Sequence, residues 1–270
     1  MHDNNTIGQR RTLYVTDMDG TLLDLYSRVS PESASIIHRL SREGALITVA
    51  TARTPATVVP LMRDCHTSVP YVTMTGAALW NPVEEKYGEI ALMPDDTAAR
   101  VREVIESFGL HPFIYTITPD NRLLAAYHNG PMNRAERKFV EERTGLALKR
   151  FHLDNPGGMA PFLPRTILYF AIGDAEATSA AAEALTRMGR CAVSSYMDNT
   201  VPGMGILEVF ASGIDNGAVV KRLASRLGAD RIVAFGDNLN DLPLFAVADI
   251  PVAVENALPE VKAAAEVVIG

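Results

Sequence analysis

The chain has 270 residues, 47% of them hydrophobic, with 32 acidic against 25 basic side chains and a formal net charge of -7. That is enough apolar material for one large domain or two modest ones, and the scattered basic residues form no electrostatic footprint for nucleic acid. Two distant cysteines, Cys65 and Cys191, rule out a disulfide framework and lack zinc spacing, which fits a reduced, cytoplasmic setting.

The opening MHDNNTIGQRR is polar and reads as a frayed end, without the apolar core of a secretory signal. No apolar run reaches the ~18 residues needed to span a bilayer, so the protein reads as soluble. Next, TLYVT predicts a buried strand, and SPESASIIHRLSREG a helix with Ser30 as N-cap, Pro31 in the first turn and Gly44 as the stop. ALITVAT is a second apolar strand. TPATVVPLMRDC repeats the Thr-Pro helix start with Thr54 and Pro55, with Pro60 expected to disturb it. YVTMT is a third strand, and this alternation argues for a parallel sheet covered on both faces.

Between about Pro82 and Met204 the pattern changes. Longer helices (DDTAARVREVIESFG, NRAERKFVEERTG, DAEATSAAAEALTRMG) separate the strands FIYTIT, RLLAAYH, RTILYFAIG and RCAVSSYM, with turn-rich joints such as DNPGGMAP and NTVPGMG. That suits an antiparallel sheet with helices on one face. GILEVF, the helix GAVVKRLASRLG, the strand RIVAFGD, a helix over DLPLFAVA, and then IPVAV and EVVI return to the βα grammar. The expected fold is α/β, a doubly wound Rossmann-like parallel core over residues 1–82 and 205–270, interrupted by an α+β insertion over 83–204. The six histidines have no HExxH or other close ligand spacing and are assigned to surface or packing roles. The aromatic residues Phe162, Tyr169 and Tyr196 are expected in the core of the insertion.

In parallel α/β sheets, ligands bind beyond the carboxyl ends of the strands. Asp17 and Asp19 follow the first strand in DMDGT, while Asp237 and Asp241 follow RIVAF in GDNLND. Four carboxylates on one rim repel each other unless a hard cation sits among them, and oxygen ligands at a phosphate site favour magnesium. A strand-end carboxylate can attack a phosphoryl group, and a second one two residues on can serve as general acid and base. Gly20 lets the chain turn there, Thr21 can bond locally in the turn, and Thr51 is placed to donate to phosphate oxygens. A lone DxD is weak, because paired aspartates at strand ends are often turn formers; Asp241 alone could simply N-cap the next helix.

In combination, DMDGT, the threonine of VATAR and GDNLND resemble motifs one, two and four of the haloacid dehalogenase superfamily. The long insertion is similar to the type IIB cap of its Cof-type branch. The resemblance implies a phosphatase acting on a small phosphorylated metabolite through an aspartyl-phosphate. Asp17 is then nucleophile and metal ligand. Asp19 is general acid/base and gives its backbone carbonyl to magnesium, Asp237 completes the protein ligands, and Asp241 supports them. Met18 and Ala52 through their backbones, with Thr51 and Asn240, hold the phosphate, and Arg53 faces the substrate.

The pattern departs from the branch at motif three, where a lysine normally precedes glycine. In ASGIDNGAVVKRL that place falls on Asn216, before Gly217. Lys221 lies about 140° around the helix from it and reads as a solvated lysine. Arg53, or an insertion residue such as Arg165 or Arg122, could take over the missing charge. Thr75 in MTGA also replaces an asparagine common in the branch. Three readings follow: a phosphatase of a sugar phosphate, nucleotide or cofactor phosphate, as monomer or homodimer; a phosphate-ligand-binding or regulatory module that lost turnover with the lysine; or a sugar phosphomutase.

Overall fold

The computed structural model describes residues 11–154, 163–198 and 201–270; the polar N-terminal ten residues, Phe162 and most of the DNPGGMAP joint lie outside the described residues. The chain divides into two compact units, one of Met1–Glu84 with Asp215–Gly270 and one of Glu85–Ile214.

The first unit begins with β1 (Thr12–Thr16), whose Leu13 and Val15 are fully buried. Ser30 accepts a hydrogen bond from the Ser33 amide at 3.0 Å, and Pro31 opens α1 (Pro31–Arg42). Gly44, at φ +97°, carries the chain out of that helix and into β2 (Leu46–Val49), buried throughout. The next helix, α2 (Pro55–Met62), passes through Pro60 and tightens into a 3-10 turn at Arg63–Cys65. In so short a helix the proline removes one amide near the end, which the turn absorbs. β3 (Tyr71–Thr73) pairs antiparallel with β4 (Ala78–Asn81) and meets the end of β2 through a single parallel bridge, Ala50 to Val72. The third apolar run is therefore half of a hairpin rather than a full rung of the parallel ladder.

The second unit contains β5 (Lys86–Ile90), α3 (Asp95–Ser107), β6 (Phe113–Ile117), β7 (Leu124–His128), α4 (Arg134–Arg143), β8 (Lys149–Leu153), β9 (Thr166–Asp174), α5 (Ala175–Met188), β10 (Cys191–Met197) and β11 (Met204–Ala211). Six of these strands form one sheet in the order β10-β11-β9-β6-β7-β8. Two expectations are corrected here. The sheet is mixed, because β8 pairs parallel to β7 after a crossover through α4. Helices cover both faces. Ile114, Tyr169, Leu207 and Val209 share a core with Val101 and Ile105 of α3 and Leu185 of α5. Phe113 and Phe170 alternate with those residues and therefore point the other way, where Phe139 of α4 packs against them at ring distances of 5.4 and 4.8 Å.

A third correction concerns GILEVF. This run is β11, antiparallel to both β9 and β10, so it belongs to the second unit and not to the parallel core that begins at residue 205 in the sequence reading. A strand covered on both faces is apolar at nearly every position and looks the same in either kind of sheet.

The chain returns to the first unit at Asp215, whose carboxylate accepts from the Ala218 amide at 2.7 Å and caps α6 (Asn216–Leu227). Then come β12 (Arg231–Gly236), the one-turn α7 (Leu242–Phe245), β13 (Ile250–Val254), α8 (Pro259–Ala264) and β14 (Val267–Ile269). The parallel sheet has the order β14-β13-β12-β1-β2. Leaving β1 the chain builds on one side, and on its return it builds on the other. The crevice between β1 and β12 is thus the switch point at which a ligand is expected. Leu13, Val15, Val220, Leu223 and Ala234 pack the core beneath it.

Candidate active site

The register Thr16 to Phe235 brings the carboxyl ends of β1 and β12 level, and the Asp17 amide donates to the Phe235 carbonyl at 2.9 Å. One carboxylate oxygen from each of Asp17, Asp237 and Asp241 lies within 4.8 Å of the others. Asp241 Oδ2 accepts from the Asp237 and Asn238 amides at 2.9 and 3.0 Å, and its side chain makes no cap bond to α7. It ties down the loop that carries Asp237. Asp241 Oδ1 is buried without a hydrogen-bond partner. Two glycines permit this crowding: a Cβ on Gly20 would lie 2.4 Å from Asp237 Oδ2, and one on Gly236 would lie 2.6 Å from the Asp241 Cβ.

Burial first, and then the Asp241 charge, push the Asp17 carboxyl up to about 8, with Asp19 and Asp237 adding to the effect against one backbone bond from Met18. Burial likewise raises Asp237 and Asp241. A cage of carboxylate oxygens, one of them buried and unpartnered, each disfavouring its own ionisation, is chemically suited to a hard divalent cation such as magnesium.

A family model of haloacid dehalogenase-like hydrolases matches residues 14–270. The chain belongs to that family. Two relatives from Bacillus subtilis, both described as 5-amino-6-(5-phospho-D-ribitylamino)uracil phosphatases, are 23% and 26% identical. The first alignment covers 93% of this chain and 88% of the relative, the second 91% and 88%. A solved sugar phosphatase of haloacid dehalogenase subclass IIB shares the fold at a TM-score of 0.70 and 20% identity, over 95% of this chain and 92% of that one.

In this hydrolase the Asp19 side chain stands outside the carboxylate cage and is held by Arg53, with Nε to Oδ2 at 2.7 Å and Nη2 to Oδ1 at 2.5 Å. Thr51, just past β2, is 1% exposed; its hydroxyl accepts from the Arg53 amide at 3.2 Å. Met18 is fully buried, while Ala52 and Asn240 are exposed in the segments after β2 and β12. Asn216 opens α6, 3% exposed, with Oδ1 unpartnered. Lys221 is exposed on the same helix. Met74, Thr75 and Gly76 are consecutive left-handed residues at φ 51°, 55° and 90°.

In the other unit, Arg165 donates to the Ile117 carbonyl at 2.9 Å and to the Asn121 side chain. Tyr169 is core, its hydroxyl donating to the Ala98 carbonyl at 2.9 Å, whereas Tyr196 is 46% exposed, against expectation. One residue of the site has another partner than expected, and one was missed. Thr21, expected to bond locally, donates instead to Asp237 Oδ1 at 3.1 Å, and Asn256 donates to the Gly20 carbonyl at 2.8 Å. Asn256 follows β13 on the same rim, so searching every strand end for polar residues would have found it.

Proposed function

We propose that this hydrolase is a magnesium-dependent, cytoplasmic phosphatase of a small phosphorylated metabolite, working through an aspartyl-phosphate on Asp17. The observation that carries the reading is the Asp17, Asp237 and Asp241 cage at the switch point, with Asp19 two residues beyond the nucleophile. In this reading Glu85–Ile214 is the type IIB cap and the unit holding Asp17 is the catalytic core.

Asp17, Asp237 and the Asp19 carbonyl would hold the metal with Asp241 behind them; when bound, it keeps Asp17 ionised at neutral pH and offsets phosphate charge. Asp17 attacks phosphorus as the bond to the leaving oxygen breaks, and Asp19 gives that oxygen a proton. Asp19 then takes a proton from water, which attacks the phosphorus of the aspartyl-phosphate, releasing phosphate and restoring Asp17. Thr51, Asn216 and Asn240, with the Met18 and Ala52 backbones and Arg53, surround the phosphate. The names of the two Bacillus subtilis relatives make a phosphorylated ribityl or other sugar-like ester the substrate class to try first.

Phosphate release from p-nitrophenyl phosphate and a panel of sugar and ribityl phosphates tests this. Turnover is expected to require magnesium and to fall by roughly a thousandfold or more in Asp17→Asn. Turnover unchanged by that substitution overturns the mechanism. Ligand-dependent stabilisation without turnover of any ester favours a regulatory module instead.

A further inference from the structure

We infer that Asp19 and a substrate phosphate compete for one guanidinium, that of Arg53, so that phosphate binding frees the Asp19 carboxylate to take up a proton from water and pass it to the leaving oxygen. The inference rests on the phosphatase reading of the same site and adds a positioning residue to it.

The pair is a two-point fork, with Nε to Oδ2 at 2.7 Å and Nη2 to Oδ1 at 2.5 Å. Such a fork fits a carboxylate or a phosphate equally well in shape, and a phosphate dianion brings more charge. Both ends stand on fixed backbone. The Arg53 amide donates to Thr51 Oγ1 at 3.2 Å and its carbonyl accepts from the Met74 amide at 3.0 Å. Beside Asp19, the Gly20 carbonyl is held by Asn256 at 2.8 Å. The pair therefore has defined places rather than being two wandering surface side chains.

Exposure favours exchange. The Asp19 side chain is 55% exposed and that of Arg53 26%, so water can take over the freed carboxylate while the guanidinium stays at the rim. Charge favours it as well. Residue 216 is a neutral amide and Lys221 faces solvent, whereas the guanidinium is bonded to Asp19 and lies in the field of both Asp19 and Asp17. Arg53 is thus a cation set against the acidic rim, and a phosphate held on Thr51 next to it draws on the same donors. A general acid fastened to arginine is poorly placed to protonate a leaving group. Exchange of the fork removes that hindrance at the moment phosphate arrives.

A double-mutant cycle over Arg53→Ala and Asp19→Asn tests the competition, with the affinity for inorganic phosphate in magnesium buffer as the first readout. Asp19→Asn is expected to tighten phosphate binding by about tenfold when Arg53 is present and by much less in the Arg53→Ala background. Equal gains in the two backgrounds overturn the inference. Arg53→Lys, which keeps the charge but loses the fork, should fall between wild type and Arg53→Ala, and guards against a folding defect in the alanine variant. The second readout is turnover. Arg53→Ala should raise KM for an alkyl phosphate and for p-nitrophenyl phosphate alike, because the guanidinium no longer meets the phosphate, and should spare kcat even for the alkyl ester, whose leaving oxygen needs the proton, because nothing restrains Asp19. A kcat lowered more for the alkyl ester than for p-nitrophenyl phosphate would mean that Arg53 helps the acid rather than restraining it, and that also overturns it. Wild-type turnover and its loss in Asp17→Asn test the phosphatase reading separately, and the binding cycle needs no turnover.

Discussion

Gly20 shows how much of the site depends on one missing methyl group. Its φ of +84° turns the chain away from β1, and its bare Cα leaves room for the Asp237 carboxylate 2.4 Å from where a Cβ would stand. Gly20→Ala is therefore strained twice over, by about 1–3 kcal/mol for the backbone alone, and pushes aside the Asp237 carboxylate of the proposed metal site. Displacing a group by about an ångström in such a site costs roughly a hundredfold in kcat. We expect that loss together with a lower melting temperature, both read on the same preparation; full activity would mean that Asp237 does not need its present place. The strand ends made Asp17 and Asp237 legible in the sequence, since a βα pattern fixes where a parallel strand stops. Their cross-chain partners were not legible: Thr21 and Asp237 are 216 positions apart, Arg53 and Asp19 are 34 apart, and no local pattern encodes either contact.

At the level of elements, the helices were the easiest to read, because Ser30, Pro31 and Gly44 are local signals. β8 escaped because KRFHL carries two basic side chains and a histidine, and one of the basic pair, Lys149, is buried among Tyr115, Phe139 and Phe151 with Nζ 2.6 Å from the Tyr115 hydroxyl. Burial, helped by Arg143, brings that ammonium down to about 7 from an ordinary 10.5. On β11, burial pushes Glu208 up to about 7 from 4.5 despite a hydrogen bond with Tyr196. The signs are opposite. Between about 4.5 and 7 the folded unit holds a proton on Glu208 that the unfolded chain has lost, so stability falls as pH rises. Between about 7 and 10.5 the unfolded chain holds a proton on Lys149 that the folded unit lacks, so stability rises. Native-state hydrogen exchange of β6 to β11 should show least protection near neutral pH. Lys149→Met should flatten the alkaline limb and Glu208→Gln the acid one; limbs that persist in both variants would show that other groups set them.

At the scale of the whole molecule, the unit that carries the carboxylates is made from two segments separated by Glu85–Ile214. Asp17 comes from the first segment, Asp237 and Asp241 from the second, so a cation bound among them ties together parts of the chain that meet only in the folded state. A ligand present at a hundred times its Kd stabilises by about 2.7 kcal/mol, which for a chain of this size raises the melting temperature by about 5–10 °C. Protons oppose it. Asp17 has a folded value of about 8 against an ordinary 3.8, so without metal the folded state retains a proton that the unfolded chain gives up. That contribution is fully present below about 4 and is lost as pH rises through about 8. Magnesium must displace this proton, so its stabilising effect should grow from pH 6 to pH 8.5. Comparing melts with magnesium and with chelator at each pH cancels the titration of Lys149 and Glu208, which is common to both. Asp17→Asn should remove the pH dependence of the magnesium shift and most of the shift itself. A magnesium shift that is the same at every pH would mean that the cation does not sit against Asp17.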